Sequence, residues 1–207
     1  MTPVPEPPSP QTVEFFYDYG SPFSYLADGL LPALARRHGA PLRYRPLLLG
    51  AVFKATGNHS PMQESVEAKR RYGGTTLRRT AALVGRPFAN NPHFPINTLR
   101  IMRAAIAAQR AGCFDAYHRV IYPAFWAEGR DMGDVEVVRS VLVGAGLDPQ
   151  LLAAGEADGV KAELRANTEE AVSRGAFGAP TCFLGDAMFF GVDHLPFLER
   201  SLQEART

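Results

Sequence analysis

Cysteine is scarce in this chain: Cys113 and Cys182 are its only two, far apart among 207 residues. Neither belongs to a C-x-x-C pair or a metal-ligand spacing, so a dithiol redox centre and a cysteine zinc site are both excluded. Two distant cysteines fit free thiols in a reducing compartment. The five histidines are scattered without ligand spacing, and no metal is expected. Charge of one sign is also lacking: 22 Lys and Arg stand against 21 Asp and Glu, a net charge of +1. Such a balance argues against a nucleic-acid partner or an electrostatically held membrane. No apolar run approaches the roughly 20 residues of a membrane span. The segment 1–11 is polar and rich in proline, lacks the apolar core of a signal peptide, and is expected to be disordered. The expected location is therefore cytoplasmic.

What is present is an ordinary globular composition, 46% hydrophobic and 21% charged, long enough for a large core. Val13 to Tyr17 reads as a strand, and Pro22 to His38 as a helix with Phe23, Leu26, Ala27, Leu30, Leu31 and Leu34 on its inner face. Pro32 is expected to kink or locally break that helix. A second strand over 42–48 completes a β-α-β unit with parallel strands and a right-handed crossover. From Gly50 to Gly155 the pattern is helical, with segments at 64–84, 97–110, 114–125 and 135–143. Asp158 is placed to cap a helix reaching Arg174. Thr181 to Leu184 and Met188 to Phe190 flank Gly185-Asp186, a two-residue hairpin signal. A last helix is expected from Asp193 to Ala205.

Between the first strand and helix stands Ser21-Pro22, a serine N-cap followed by a proline in the first turn. Free amides and the positive end of the helix macrodipole converge there. The place suits an anion, or a hydroxyl that steadies one; a plain helix cap is the alternative. Ser24, one turn on, reads as a packing or surface residue.

The order β-α-β, helices, α-β-β-α gives an α/β protein with a thioredoxin-like, four-stranded mixed sheet and a large all-helical insertion. The thioredoxin-like part takes residues 12–49 and 156–207, and the insertion 50–155. In that layout a C-x-x-C motif follows the first strand. Here the place reads Ser21-Pro22-Phe23-Ser24, which cannot form a disulfide.

Five segments in order resemble the 2-hydroxychromene-2-carboxylate isomerases, relatives of kappa-class glutathione transferases in the DsbA-like thioredoxin superfamily. They are Phe16-Tyr17-Asp18-Tyr19-Gly20-Ser21-Pro22-Phe23-Ser24-Tyr25-Leu26, Gly57-Asn58 with Lys69 and Tyr72, Pro92-His93-Phe94-Pro95-Ile96-Asn97-Thr98, Phe177-Gly178-Ala179-Pro180-Thr181, and Phe190-Gly191-Val192-Asp193-His194-Leu195. The resemblance implies glutathione as cofactor and a small aromatic or chromene-type acid as substrate. It implies that the Ser21 hydroxyl meets the glutathione sulfur and that Pro180 is a cis-proline. It further implies that the Ala179 backbone pairs with the tripeptide, and that Asp193 holds its amino end with His194 beside it. Asn58 and Lys69 would line the site from the helical block. Family members commonly form dimers, so a homodimer is implied as well. A kappa-like transferase or peroxidase, or a glutathione-binding protein without catalysis, are the alternatives. The chain departs from the family at Val192 and His194, where many isomerases read G-N-D-R-L, and at Thr80, where relatives often carry tryptophan.

Several residues also have structural readings. Lys69 lies in a charged stretch that suits a solvated helix face, and Asn97 can cap the helix after it. Arg78, Arg79, Arg100 and Arg103 are candidates for a substrate carboxylate. Cys182, Phe125 and Trp126 suit the core.

Overall fold

The computed structural model describes residues 11–205; the expectation of disorder over 1–11 falls almost wholly outside them. The elements are β1 (Val13–Tyr17), α1 (Pro22–Arg37), β2 (Leu42–Pro46), α2 (Leu49–Thr56), α3 (Glu67–Val84), α4 (Leu99–Arg110), α5 (Phe114–Trp126), α6 (Val135–Gly144), α7 (Leu151–Ala154), α8 (Asp158–Ser173), β3 (Thr181–Leu184), β4 (Ala187–Phe190) and α9 (Leu195–Glu204). The four strands form one sheet in the order β2-β1-β3-β4. β1 and β2 run parallel, with Phe15 opposite Tyr44. β3 runs antiparallel to β1, with Cys182 opposite Phe15, and the β3–β4 hairpin turns at Gly185-Asp186 as its sequence predicts.

β1 is central and buried on both faces. Its alternate side chains divide the protein into two cores, as the period of two requires. Val13, Phe15 and Tyr17 join Leu26 and Leu31 of α1, Met102 and Ile106 of α4, and Tyr117, Ile121 and Phe125 of α5. Phe16 points the other way, with Val52, Ala171 and Phe183. Glu14 shares that second face. It pairs with Arg45 of β2 and with Arg174, whose Nη1 lies 2.6 Å away, and Arg45 also pairs with Glu170 of α8. Burial works to raise the Glu14 carboxyl, but the two guanidiniums prevail and hold it below the usual range. The Arg174 guanidinium also lies 3.8 Å from the centre of the Phe183 ring. Charge and ring contacts together seat α8 on the sheet.

Some expected boundaries shift. α1 runs through Pro32, because Leu31 before it and Leu34 and Ala35 after it are buried and their packing outweighs one missing backbone bond. Its inner face is rotated from the expected one: Ser24, Tyr25 and Asp28 are buried, whereas Leu30 is 36% exposed. The N-cap of α8 is Ala157, and Asp158 instead occupies the first turn. Thr98 holds the N-cap position of α4 but gives its hydroxyl to Asp18, and Asn97, just before it, accepts from the Leu99 amide. α3 begins at Glu67, because a turn at Pro61–Gln63 and a Glu64 side chain bonded to the Val66 amide precede it. Asp193 lies in a single tight turn, Val192–His194, and α9 starts after it with Pro196 in its first turn.

Cys182 is buried in β3, and burial pushes its thiol up to about 12, whereas Cys113 is partly exposed. A thiol reagent acting through thiolate is therefore expected to titrate one cysteine, Cys113, in the native protein. The second should react only after denaturation. Rapid labelling of both at neutral pH would contradict this burial.

Candidate functional site

The loop after β1 is clamped from three sides. Asp18 is buried, and its carboxylate accepts from the Gly20 amide at 2.8 Å, the Leu49 amide at 2.8 Å and the Thr98 hydroxyl at 3.1 Å. Burial pushes its pKa above the usual carboxylate range against the opposing pull of those donors. Tyr19 is held at both backbone ends: its amide donates to Met102 Sδ, and its carbonyl accepts from Trp126 Nε1. Its hydroxyl lies 2.9 Å from His118 Nδ1. Space at Gly20 is tight: an added Cβ would sit 3.0 Å from Thr98 Cγ2, which would have to give by a few tenths of an ångström.

These contacts deliver Ser21 to the N-terminus of α1 with 3% of its surface exposed. Its Oγ accepts from the Ser24 amide at 3.1 Å, as the predicted cap requires. It also donates to the Ala179 carbonyl at 2.9 Å. The Ala179–Pro180 bond is cis. The start of α1 and the turn before β3, remote in sequence, thus meet at one hydroxyl. Ser24 is buried, and its own hydroxyl makes no hydrogen bond among the described residues, which fits packing.

The Ala179 turn is fixed by its neighbours. Asn58 Nδ2 donates to the Phe177 carbonyl at 2.9 Å, the Thr181 hydroxyl donates to the Gly178 carbonyl, and the Gly191 amide donates to the Pro180 carbonyl. The Phe177 ring packs on Phe190 with centroids 4.3 Å apart. A Cβ on Gly178 would lie 2.8 Å from that Phe190 ring, so glycine is what lets the aromatic pair close.

Of the candidate residues, Ser21 therefore bonds directly to Ala179, which precedes the cis Pro180, and Asn58 is tied to the same turn through the Phe177 carbonyl. Asp193 and His194 follow Gly191, which is tied to Pro180; both are exposed, and the His194 ring packs against Phe197. Lys69 is exposed on α3 and lies 3.6 Å from Glu64. Arg103 is bonded to Glu156 at 2.9 Å, while Arg78, Arg79 and Arg100 are exposed. Sequence reasoning missed Asp18 as the clamp of the loop, and the Asp28–His118–Tyr19 chain behind it. A signal for the second existed: Asp28 lies four residues after Ser24 and three before Leu31, on a helix face that must be buried.

A parallel β1-α1-β2 unit, an antiparallel hairpin and a helix-capping residue set against a cis-proline turn define a thioredoxin-like protein. The chain matches the DSBA-like thioredoxin domain over residues 12–203 and belongs to that family. Within it, the chain belongs with the 2-hydroxychromene-2-carboxylate isomerases. It is 34% identical to the enzyme of that name from Sphingobium xenophagum, over 93% of this chain and 98% of that one. The solved structure of a 2-hydroxychromene-2-carboxylate isomerase superposes with a TM-score of 0.81 at 31% identity, covering 93% of this chain and 95% of that one. Glutathione S-transferase kappa 1 of Rattus norvegicus is more distant, 26% identical over 95% of this chain and 93% of that one. No helix among the described residues is long and apolar enough to cross a membrane.

Proposed function

We propose that the protein is a glutathione-dependent isomerase of 2-hydroxychromene-2-carboxylate or a closely similar acid from aromatic-compound degradation. The observation that carries this is the Ser21 hydroxyl, held at the N-terminus of α1 against the Ala179 carbonyl in a chain without a C-x-x-C pair. The residues fit glutathione. The Ala179 amide donates to no group among the described residues, so its N–H and C=O together offer a rung for an added peptide strand. The helix N-terminus beside it favours an anion. When bound, glutathione supplies a sulfur nucleophile that adds to the substrate and later leaves it unconsumed.

The chain's own residues position and steady that sulfur. Ser21 donates its hydroxyl to the thiolate, and α1 contributes the positive end of its dipole. Asp193 faces solvent next to the cis-proline turn and receives the tripeptide's amino end, with His194 beside it. Asn58 holds the turn through the Phe177 carbonyl, and Lys69, exposed on α3 beside Glu64, would line the site on ligand binding. The helical segment 50–155 supplies the substrate pocket beside Ser21, and the protein works as a homodimer in the cytoplasm.

The test is turnover of 2-hydroxychromene-2-carboxylate by purified protein with and without glutathione. Turnover that needs glutathione and leaves it unconsumed supports the proposal; equal rates without it overturn it. The kappa-class relatives favour a second reading, transfer of glutathione to electrophiles. Accumulation of a conjugate with chlorodinitrobenzene, with no isomerisation, would select it.

A further inference from the structure

The hydroxyl assigned to the sulfur is already in use. Ser21 Oγ carries one proton, and that proton lies in the 2.9 Å bond to the Ala179 carbonyl, while its lone pair takes the Ser24 amide. It cannot be given to a sulfur at the same time. We propose that the Ala179 carbonyl stores the Ser21 hydroxyl proton, and that a ligand's backbone N–H releases it to the ligand's sulfur by taking that carbonyl.

The exchange follows from the accounting of donors. A carbonyl has two lone pairs, so a peptide strand pairing at Ala179 can donate to it while the hydroxyl is still there. Once it has done so, the hydroxyl is no longer needed. Turning it toward a thiolate then exchanges a neutral hydrogen bond for a charge-assisted one and leaves no polar group without a partner. A thiol lacking the N–H cannot do this. Turning the hydroxyl would then leave the Ala179 carbonyl unpaired beneath the ligand. Ser21 keeps its proton throughout and only redirects it; the thiol's own proton passes to solvent. The ligand class selected is a thiol on a peptide backbone, its N–H within reach of Ala179, in preference to a small free thiol.

This rests on the glutathione reading above, and the test separates the two. Glutathione is compared with an ester analogue of the same size, in which oxygen replaces the cysteinyl N–H. Calorimetry gives saturation, and ultraviolet absorbance of the thiolate gives the pKa of each bound thiol. With native protein the analogue should titrate about one unit higher, equal to about 1.4 kcal/mol, or tenfold less thiolate below both values. In Ser21→Ala the two ligands should titrate alike, because no hydroxyl is left to release. Equal titration in native protein overturns the inference, as does an undiminished difference in Ser21→Ala. Absence of glutathione binding overturns the proposed function itself, and the inference with it.

Discussion

Ser21→Ala is expected to lower glutathione-dependent isomerisation about 10²-fold, the scale set by removing one aimed donor from a developing anion. The thiol of a bound cysteinyl peptide ionises near 8.5 when nothing assists it, so at neutral pH only a few per cent is thiolate. Each unit of downward shift adds about tenfold to that fraction, worth about 1.4 kcal/mol. The variant loses the hydroxyl but keeps the helix dipole, so part of the assistance remains. It also loses the N-cap contact to the Ser24 amide. That costs about 1 kcal/mol, or roughly 2–4 °C in Tm for a chain of this size. The two effects are separable. Ser21→Thr retains a capping hydroxyl and should recover most of the stability, and activity only so far as its hydroxyl can reach the sulfur. The measurements are kcat with saturating glutathione and thermal unfolding of each variant. Undiminished turnover in Ser21→Ala would remove the role assigned to this residue.

Much of this site is legible in the sequence because its parts are local. The serine cap at Ser21, the proline after it, the Gly185-Asp186 hairpin and the β-α-β order each follow from residues a few positions apart, and the structure reproduces them. Other parts depend on packing between distant segments. Thr98 reaches Asp18 across 80 positions, Asp28 meets His118 across 90, and Asn58 meets Phe177 across 119. No spacing rule encodes such pairs. Asp18 and Asp28 look like surface acids until the helices that bury them are in place. The same holds for the Ser21 bond to Ala179, where sequence supplies both residues but not the direction of one proton. Pro32 illustrates the reverse case: a strong local signal is overridden because burial on both sides of it holds α1 in register.

Asp28→Ala is expected to have the largest effect on stability. Asp28 is 6% exposed in the middle of α1. Its Oδ1 lies 2.9 Å from His118 Nε2 and accepts from the Tyr44 hydroxyl at 2.9 Å, and its Oδ2 accepts from Arg86 Nη1 at 2.9 Å. Arg86 also donates to the Tyr25 carbonyl and lies over the Tyr25 ring. Removing the carboxylate leaves a guanidinium, an imidazole and a phenol without their shared acceptor, and breaking a buried pair in this way costs about 3–5 kcal/mol. The corresponding fall in Tm is about 10 °C. The effect should also depend on pH, with a definite sign. Burial works to raise the Asp28 carboxyl, but the His118 bond, the charges of His118 and Arg86 and the Tyr44 hydroxyl outweigh it, so the group lies below its ordinary value. A carboxyl depressed on folding stabilises the native state at pH above its unfolded value, about 3.9, and that contribution is lost as pH falls through the folded value. Urea unfolding of native protein and Asp28→Ala should therefore show a full difference at neutral pH that narrows below about pH 4. Because His118 also contacts the Tyr19 hydroxyl, two residues before Ser21, the milder Asp28→Asn variant should lower kcat more than it raises KM. A variant pair as stable as the native protein would show that this buried network contributes nothing to holding the loop that carries Ser21.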